Sequence, residues 1–130
     1  AVEAVRGARI VAHVTGTFGY DPGRAAIASL WRGRDRPDAV ICSSDLTALG
    51  VLDGARTDLG LAVPAELGVV GLGDIPQASW SAYSLATVHL PIEEMIDLAT
   101  NDLLARLDDP DRRPRPMTAI ASVVRRGSIR

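Results

Sequence analysis

Pro37-Asp-Ala-Val-Ile-Cys-Ser-Ser-Asp-Leu-Thr-Ala-Leu-Gly50 carries the reading of this sequence. Ala39 to Cys42 is a short apolar run with β-branched residues, which predicts a buried strand. Ser43 and Ser44 then offer hydroxyls to cap a helix, and Asp45 in the first turn complements its dipole. Ala48, Val51, Leu52, Ala55 and Leu59 follow at helical spacing, and Gly60 stops the helix.

The same alternation extends in both directions. Upstream, Arg9-Ile-Val-Ala-His-Val14 predicts a strand, Thr15 to Asp21 a glycine-containing loop, and Pro22 the first turn of a helix running to about Arg32. Gly33 to Asp38 is a polar turn. Downstream, Gly68 to Leu72 predicts another strand, Gly73 to Ser84 an irregular stretch, and Ala86 to His89 a brief extended piece. Pro91 opens the longest helix, striped by Ile92, Met95, Ile96, Ala99, Leu103 and Leu107. A charged, proline-rich loop from Asp108 to Pro116 precedes a last strand, Ala119 to Val124. Short apolar strands alternating with helices imply an α/β fold, a parallel sheet flanked by helices. Ligands of such sheets sit outside the carboxyl ends of the strands, so Thr15–Pro22, Ser43–Asp45 and Gly73–Ser84 are the loops to inspect.

Composition narrows the function. The 130 residues suffice for one ordinary domain, and a formal net charge of -2 gives no general attraction to nucleic acid or an anionic membrane. A single cysteine, Cys42, excludes an internal disulfide and a thiolate zinc cluster, so no metal and no cofactor is expected. No apolar run is long enough for a membrane span and the first residues do not resemble a signal peptide, so the expected location is cytoplasmic. Ala1 is not a start methionine, which suggests that upstream sequence has been removed.

Catalytic readings are weak. Gly71-Leu-Gly73 follows a strand but lacks the third glycine and the helix that would hold a pyrophosphate. Ser43 and Ser44 lack the flanking glycines of a nucleophile elbow, and capping is their favoured role. His13 and His89 show no acidic orienter in the nearby sequence. Asp108, Asp109 and Asp111 lack calcium-loop spacing and read as a solvated loop. Arg112, Arg113, Arg115, Arg125, Arg126 and Arg130 read as surface charge. No enzyme is expected.

Phe18 and Tyr20 stand in a loop at the expected carboxyl edge of the sheet. A ring there either stacks on a ligand or, for Phe18, covers the sheet end. Trp80, in an irregular segment, and Leu49, off the main apolar stripe of its helix, suit either a subunit interface or internal packing.

The Pro37–Gly50 string is followed in order by Gly60-Leu-Ala-Val-Pro64, Leu67-Gly-Val-Val-Gly-Leu-Gly-Asp-Ile75, Leu85-Ala-Thr-Val-His-Leu-Pro91 and Val124-Arg-Arg-Gly-Ser128. This series resembles the effector-binding domain of the LacI/GalR family of bacterial transcription regulators. The resemblance implies the C-terminal lobe of a periplasmic-binding-protein-like type I fold over residues 1–90. It assigns 91–118 to the N-terminal lobe and 119–130 to a strand returning to the first lobe. The stripe of the longest helix would then lack its packing surface, whose burial stabilises by several kcal/mol at ~25 cal/mol per Å². That leads us to expect either docking on a second copy or a different rest on its own lobe.

The resemblance also implies a ligand-binding set of Phe18, Tyr20, Ser44, Gly73, Asp74 and Leu90, and a dimer interface including Leu49, Leu52 and Trp80. Gly73 replaces an aspartate that in the family often binds sugar hydroxyls, which makes an anionic or less hydroxylated effector more credible. The implied partners are a small-molecule effector (a sugar, sugar acid or related metabolite), a second subunit, and operator DNA only through an upstream headpiece absent from this chain. The alternative is a solute-binding protein of a transport system with the same fold.

Overall fold

The computed structural model describes residues 7–130, so the first six residues of the expected 1–90 lobe lie outside it. In chain order the elements are α1 (Tyr20–Arg32), β1 (Ala39–Ile41), α2 (Asp45–Asp53), β2 (Gly68–Gly73), β3 (Ala86–His89), α3 (Ile92–Asp108) and β4 (Ser122–Val124). A π-helical turn, Gly54–Asp58, continues α2, and a 3-10 turn, Pro76–Ser79, follows β2. Gly60 ends the α2 region with φ +67°, a conformation that glycine adopts without steric cost.

The strands form one sheet in the order β1-β2-β3-β4. The first three are parallel, as the alternation of strands and helices requires, while β4 runs antiparallel to β3. The last strand is shorter than expected, because only Ser122, Val123 and Val124 meet β3. Just beyond it the chain is tied to the sheet by the buried Ser128. Its hydroxyl donates to the Val69 carbonyl at 2.6 Å and accepts from the Ala86 amide at 2.8 Å.

The upstream strand expected over Arg9–Val14 does not form. This segment lies beside the end of α1, where it lines a hollow with Ser29, Leu30 and Gly33–Asp35, and Arg9 reaches Asp35 at 3.8 Å. A strand exists only through its partner, and from this position the segment's backbone does not pair with β1. Ile10, Val14 and, on β1 itself, Ile41 are consequently exposed.

The core lies between the sheet and the α1–α2 pair, built from Ile27, Ala48, Val51, Leu52, Ala55, Leu67, Val69 and Leu85. The two helices approach backbone to backbone through glycine. A Cβ on Gly23 would stand 2.1 Å from the Thr47 carbonyl oxygen, and one on Gly50 1.9 Å from that of Tyr20.

This packing corrects the expected interface set. Leu49 and Leu52 are buried in the chain's own core, so neither side chain is free to meet a partner. The quarter-turn offset of Leu49 did not expose it, because the helix is covered by α1 as well as by the sheet. Trp80 alone of the three is exposed, stacked on Tyr83 with ring centroids 6.5 Å apart. Leu52→Ala should therefore destabilise by about 2–5 kcal/mol and Trp80→Ala by less than about 1 kcal/mol in urea unfolding of the isolated chain. Equal costs would contradict this division.

α3 behaves differently from the other helices. None of its 17 residues is buried, and Ile92, Met95, Ile96, Leu103, Leu104 and Leu107 are all exposed. Its near side borders a shallow apolar hollow of about 350 Å³ lined by Leu90, Pro91, Met95, Leu98, Met117, Ala119 and Ala121. None of the described helices is long and apolar enough to cross a membrane.

Candidate functional site

The carboxyl ends of β1, β2 and β3 bring polar groups together, starting from the cap of α2. Ser44 has extended backbone, and its hydroxyl accepts from the Thr47 amide at 3.2 Å, the capping role expected of it. The Ser44 and Thr47 hydroxyls also lie 2.9 Å apart, and the Thr47 hydroxyl accepts from the Gly19 amide at 3.2 Å. This chain of contacts links the start of α1 to the start of α2 and places the Phe18–Gly19 loop beside the strand ends. Phe18 itself is 73 % exposed, so it does not cover the sheet.

Asp45, expected only to favour the helix dipole, is fully buried. One carboxylate oxygen accepts from the Thr87 hydroxyl at 2.5 Å and the other from the Ile75 amide at 2.8 Å. Its carboxylate occupies the space that a side chain at position 71 would need: a Cβ on Gly71 would come within 2.1 Å of it. The Gly71-Leu-Gly73 pattern is thus explained by the close approach of a carboxylate rather than of a dinucleotide. Burial, together with the nearby Asp45, pushes the Cys42 thiol up to about 12, which leaves it an unreactive core side chain.

At the end of β2, Gly73 (φ +130°) and Asp74 (φ +61°) both take up backbone conformations unusual for L side chains, and they turn the chain over the sheet edge. One oxygen of Asp74 accepts from Arg126 at 2.8 Å, and the other lies 3.2 Å from His89 Nδ1. Two expectations are corrected by this cluster. His89 does have an acidic orienter, supplied by the neighbouring strand, and Arg126 is no free surface charge. Arg126 is largely buried, and it also donates to the Leu85 carbonyl at 2.9 Å. No local pattern in the sequence marked either residue, since the partners are 15 and 52 positions apart.

The Arg126 guanidinium beside Asp74, with a smaller contribution from His89, holds the Asp74 carboxyl below the ordinary carboxylate range. The contribution of this pair to stability is therefore present above about pH 4 and is lost as the pH falls through the lowered value. The urea midpoint should drop on acidification below the ordinary range, and Asp74→Asn should flatten that part of the profile. An unchanged profile in the variant would show that other carboxylates control it.

Tyr20, of the expected ligand set, is engaged elsewhere. The Tyr20 hydroxyl donates to Asp53 at 2.6 Å, a carboxylate it shares with Tyr83 at 3.1 Å. Asp53 ends α2, so at 1.5 Å per residue it is about 13 Å along the helix from the cap. The first turn of α1 rotates Tyr20 away from the strand ends, and its hydrogen bond to Asp53 raises its pKa. Leu90, directly after β3, also lines the apolar hollow beside α3. Phe18, Ser44, Gly73 and Asp74 remain near the strand ends, with Asp45, Thr87, His89 and Arg126 added by the fold. Among the described residues no cluster of His, Cys, Asp and Glu is arranged to hold a metal ion.

In open parallel α/β sheets the carboxyl edge of the strands, where these polar groups gather, is the usual place for a ligand. Residues 3–129 match the model of the periplasmic binding protein-like domain, and the chain belongs to that family. Proteins similar to it include transcriptional repressors and LacI-type regulators. It is 36% identical over 94 residues to the HTH-type transcriptional repressor PurR of Proteus mirabilis, covering 72% of this chain and 27% of that protein. A LacI-type transcription regulator from Bifidobacterium animalis subsp. lactis superposes with a TM-score of 0.79 at 31% identity, covering 88% of this chain and 41% of that one. The complex of the transcriptional regulator CelR with cellobiose superposes at 0.78 with 32% identity, covering 87% and 34%. The chain thus spans about a third of the length of the curated relatives it matches.

Proposed function

We propose that the chain is the effector-sensing part of a bacterial DNA-binding transcriptional regulator, with a small molecule held against the carboxyl ends of β1–β3. The observation that carries this reading is the polar strand-end cluster beside the exposed Phe18, in a chain whose relatives are repressors and LacI-type regulators. In this reading residues 7–90 supply one wall of a two-walled cleft. The cellobiose complex of the CelR regulator supports a small organic effector.

The exposed stripe of α3 fits an assignment of 91–118 to the opposite lobe, with 119–130 returning to the sheet. Effector binding would set the angle between lobes and so bias the DNA-binding arrangement of a dimer, a coupling of two sites. The dimer surface would include Trp80, and the protein would act in the cytoplasm. No catalytic step is assigned: among the described residues His89 is hydrogen-bonded only to Asp74, with no serine or cysteine nucleophile on it.

The test is a gel-shift assay with the product of the whole gene on the DNA upstream of its own reading frame. Retardation that changes on adding a small molecule from the culture medium supports the regulator. A gene product with no DNA-binding activity but tight solute binding would replace it with the transport reading.

A further inference from the structure

Glycines 71 and 73 alternate on β2, and they pair across to Thr87 and His89 of β3. Alternation puts both pairs on one face of the sheet. Each glycine leaves a slot on that face. The first is filled by the Asp45 carboxylate, to which Thr87 is bonded. The second is open. The nearest atoms to a Cβ on Gly73 would be an Asp45 oxygen at 3.7 Å and the Ile75 Cγ2 at 4.0 Å, ordinary contact distances. The slot is floored by Asp45 and flanked by the His89 imidazole, whose side chain is 44 % exposed.

The orientation of that imidazole is set from behind. Arg126 keeps Asp74 anionic, and an anionic carboxylate only accepts, so His89 Nδ1 must carry the proton that faces it. In the neutral ring the lone pair is then on Nε2, which has no hydrogen-bond partner among the described residues. Arg126 and Asp74 neutralise each other, so this pair offers no net positive charge to attract an anion to the slot.

We propose that His89 is a specificity-determining residue of the effector pocket, its Nε2 accepting a hydrogen bond from a hydroxyl or ring N–H of a neutral ligand seated over Gly73. Asp74 and Arg126 are its positioning residues. The proposal rests on the effector-binding reading above and adds to it the chemistry of one contact.

The test is long-range proton–nitrogen NMR of the imidazole in the labelled chain at about pH 8, where an unperturbed histidine is neutral. The expected state has the proton on Nδ1, and Asp74→Asn should redistribute it between the two nitrogens. Cellobiose and uracil serve as neutral probes and inorganic phosphate as the anionic one. A neutral probe should move the Nε2 resonance while phosphate does not. His89→Ala should weaken that probe about tenfold, and His89→Gln, which keeps an acceptor, by less.

A proton on Nε2 in the unliganded protein, a response to phosphate alone, or an Nε2 resonance unmoved by every probe would overturn the proposal. The ring signals of Phe18 separate the two levels. If they respond while His89 does not, the pocket stands and the His89 assignment falls. If neither responds, the pocket reading falls with it.

Discussion

Gly50→Ala should destabilise the chain by about 3 kcal/mol or more, the upper end of what overpacking costs. The added methyl would stand 1.9 Å from the Tyr20 carbonyl oxygen and 3.0 Å from the Arg24 amide nitrogen, both backbone atoms that no rotamer change can move. Relief requires α1 and α2 to separate, which opens the packing around Ile27, Ala48, Val51 and Leu52. Gly23→Ala should act similarly against the Thr47 carbonyl. Since small domains are stable by only about 5–15 kcal/mol, the two changes together should leave the chain largely unfolded. Gly16→Ala is the control: nothing lies within 4 Å of a Cβ there, and its effect should stay within about 0.5 kcal/mol. Urea unfolding of the variants measures all three, and a Gly50→Ala protein of unchanged midpoint would rule out the close helix contact.

Asp45→Ala should cost about 3 kcal/mol for a different reason. Removing the carboxylate strands the Thr87 hydroxyl and the Ile75 amide, each a donor left without its acceptor at a cost of about 1–3 kcal/mol. Asp45→Asn should be milder, about 1 kcal/mol. Its amide oxygen can still accept from Ile75, and the Thr87 hydroxyl can rotate to accept from the amide nitrogen. The loss should also be local. Amide exchange at Ile75 should accelerate in Asp45→Ala more than exchange in α1, and less in Asp45→Asn, because Asp45 anchors the turn that carries Gly73 and Asp74. If Asp45→Ala and Asp45→Asn were equally costly, retention of one acceptor would not matter and the hydrogen-bond account would fail.

Much of this molecule is legible in one dimension. The strand at Ala39–Ile41, the cap at Ser44, the helix beyond it and the stop at Gly60 follow from apolar spacing and from residues with narrow conformational uses. So does α3, whose stripe was evident although nothing in the described chain buries it. The ordered strings from Pro37 to Ser128 identified the family. Of the expected site, Ser44 precedes α2, Gly73 ends β2, and Asp74 and Leu90 directly follow strands, positions that chain order alone assigns, while Phe18 stands two residues before α1.

The rest depended on contacts between distant residues. Arg9–Val14 has the composition of a strand, but pairing is a property of two segments, and this one lies against α1. Leu52 lay on the apolar stripe of its helix and Leu49 off it, yet both are buried, because α1 covers the side of α2 that the sheet leaves free. The direction of the Tyr20 ring was settled by a carboxylate 33 residues away. Asp74 with His89 and Arg126, and Asp45 with Thr87 and Ile75, are pairs that no periodicity encodes. Periodicity reports the environment of one element along its own axis, and that determined the elements and their order. Which polar groups share a buried volume depends on how those elements pack, and only the tertiary structure decided it.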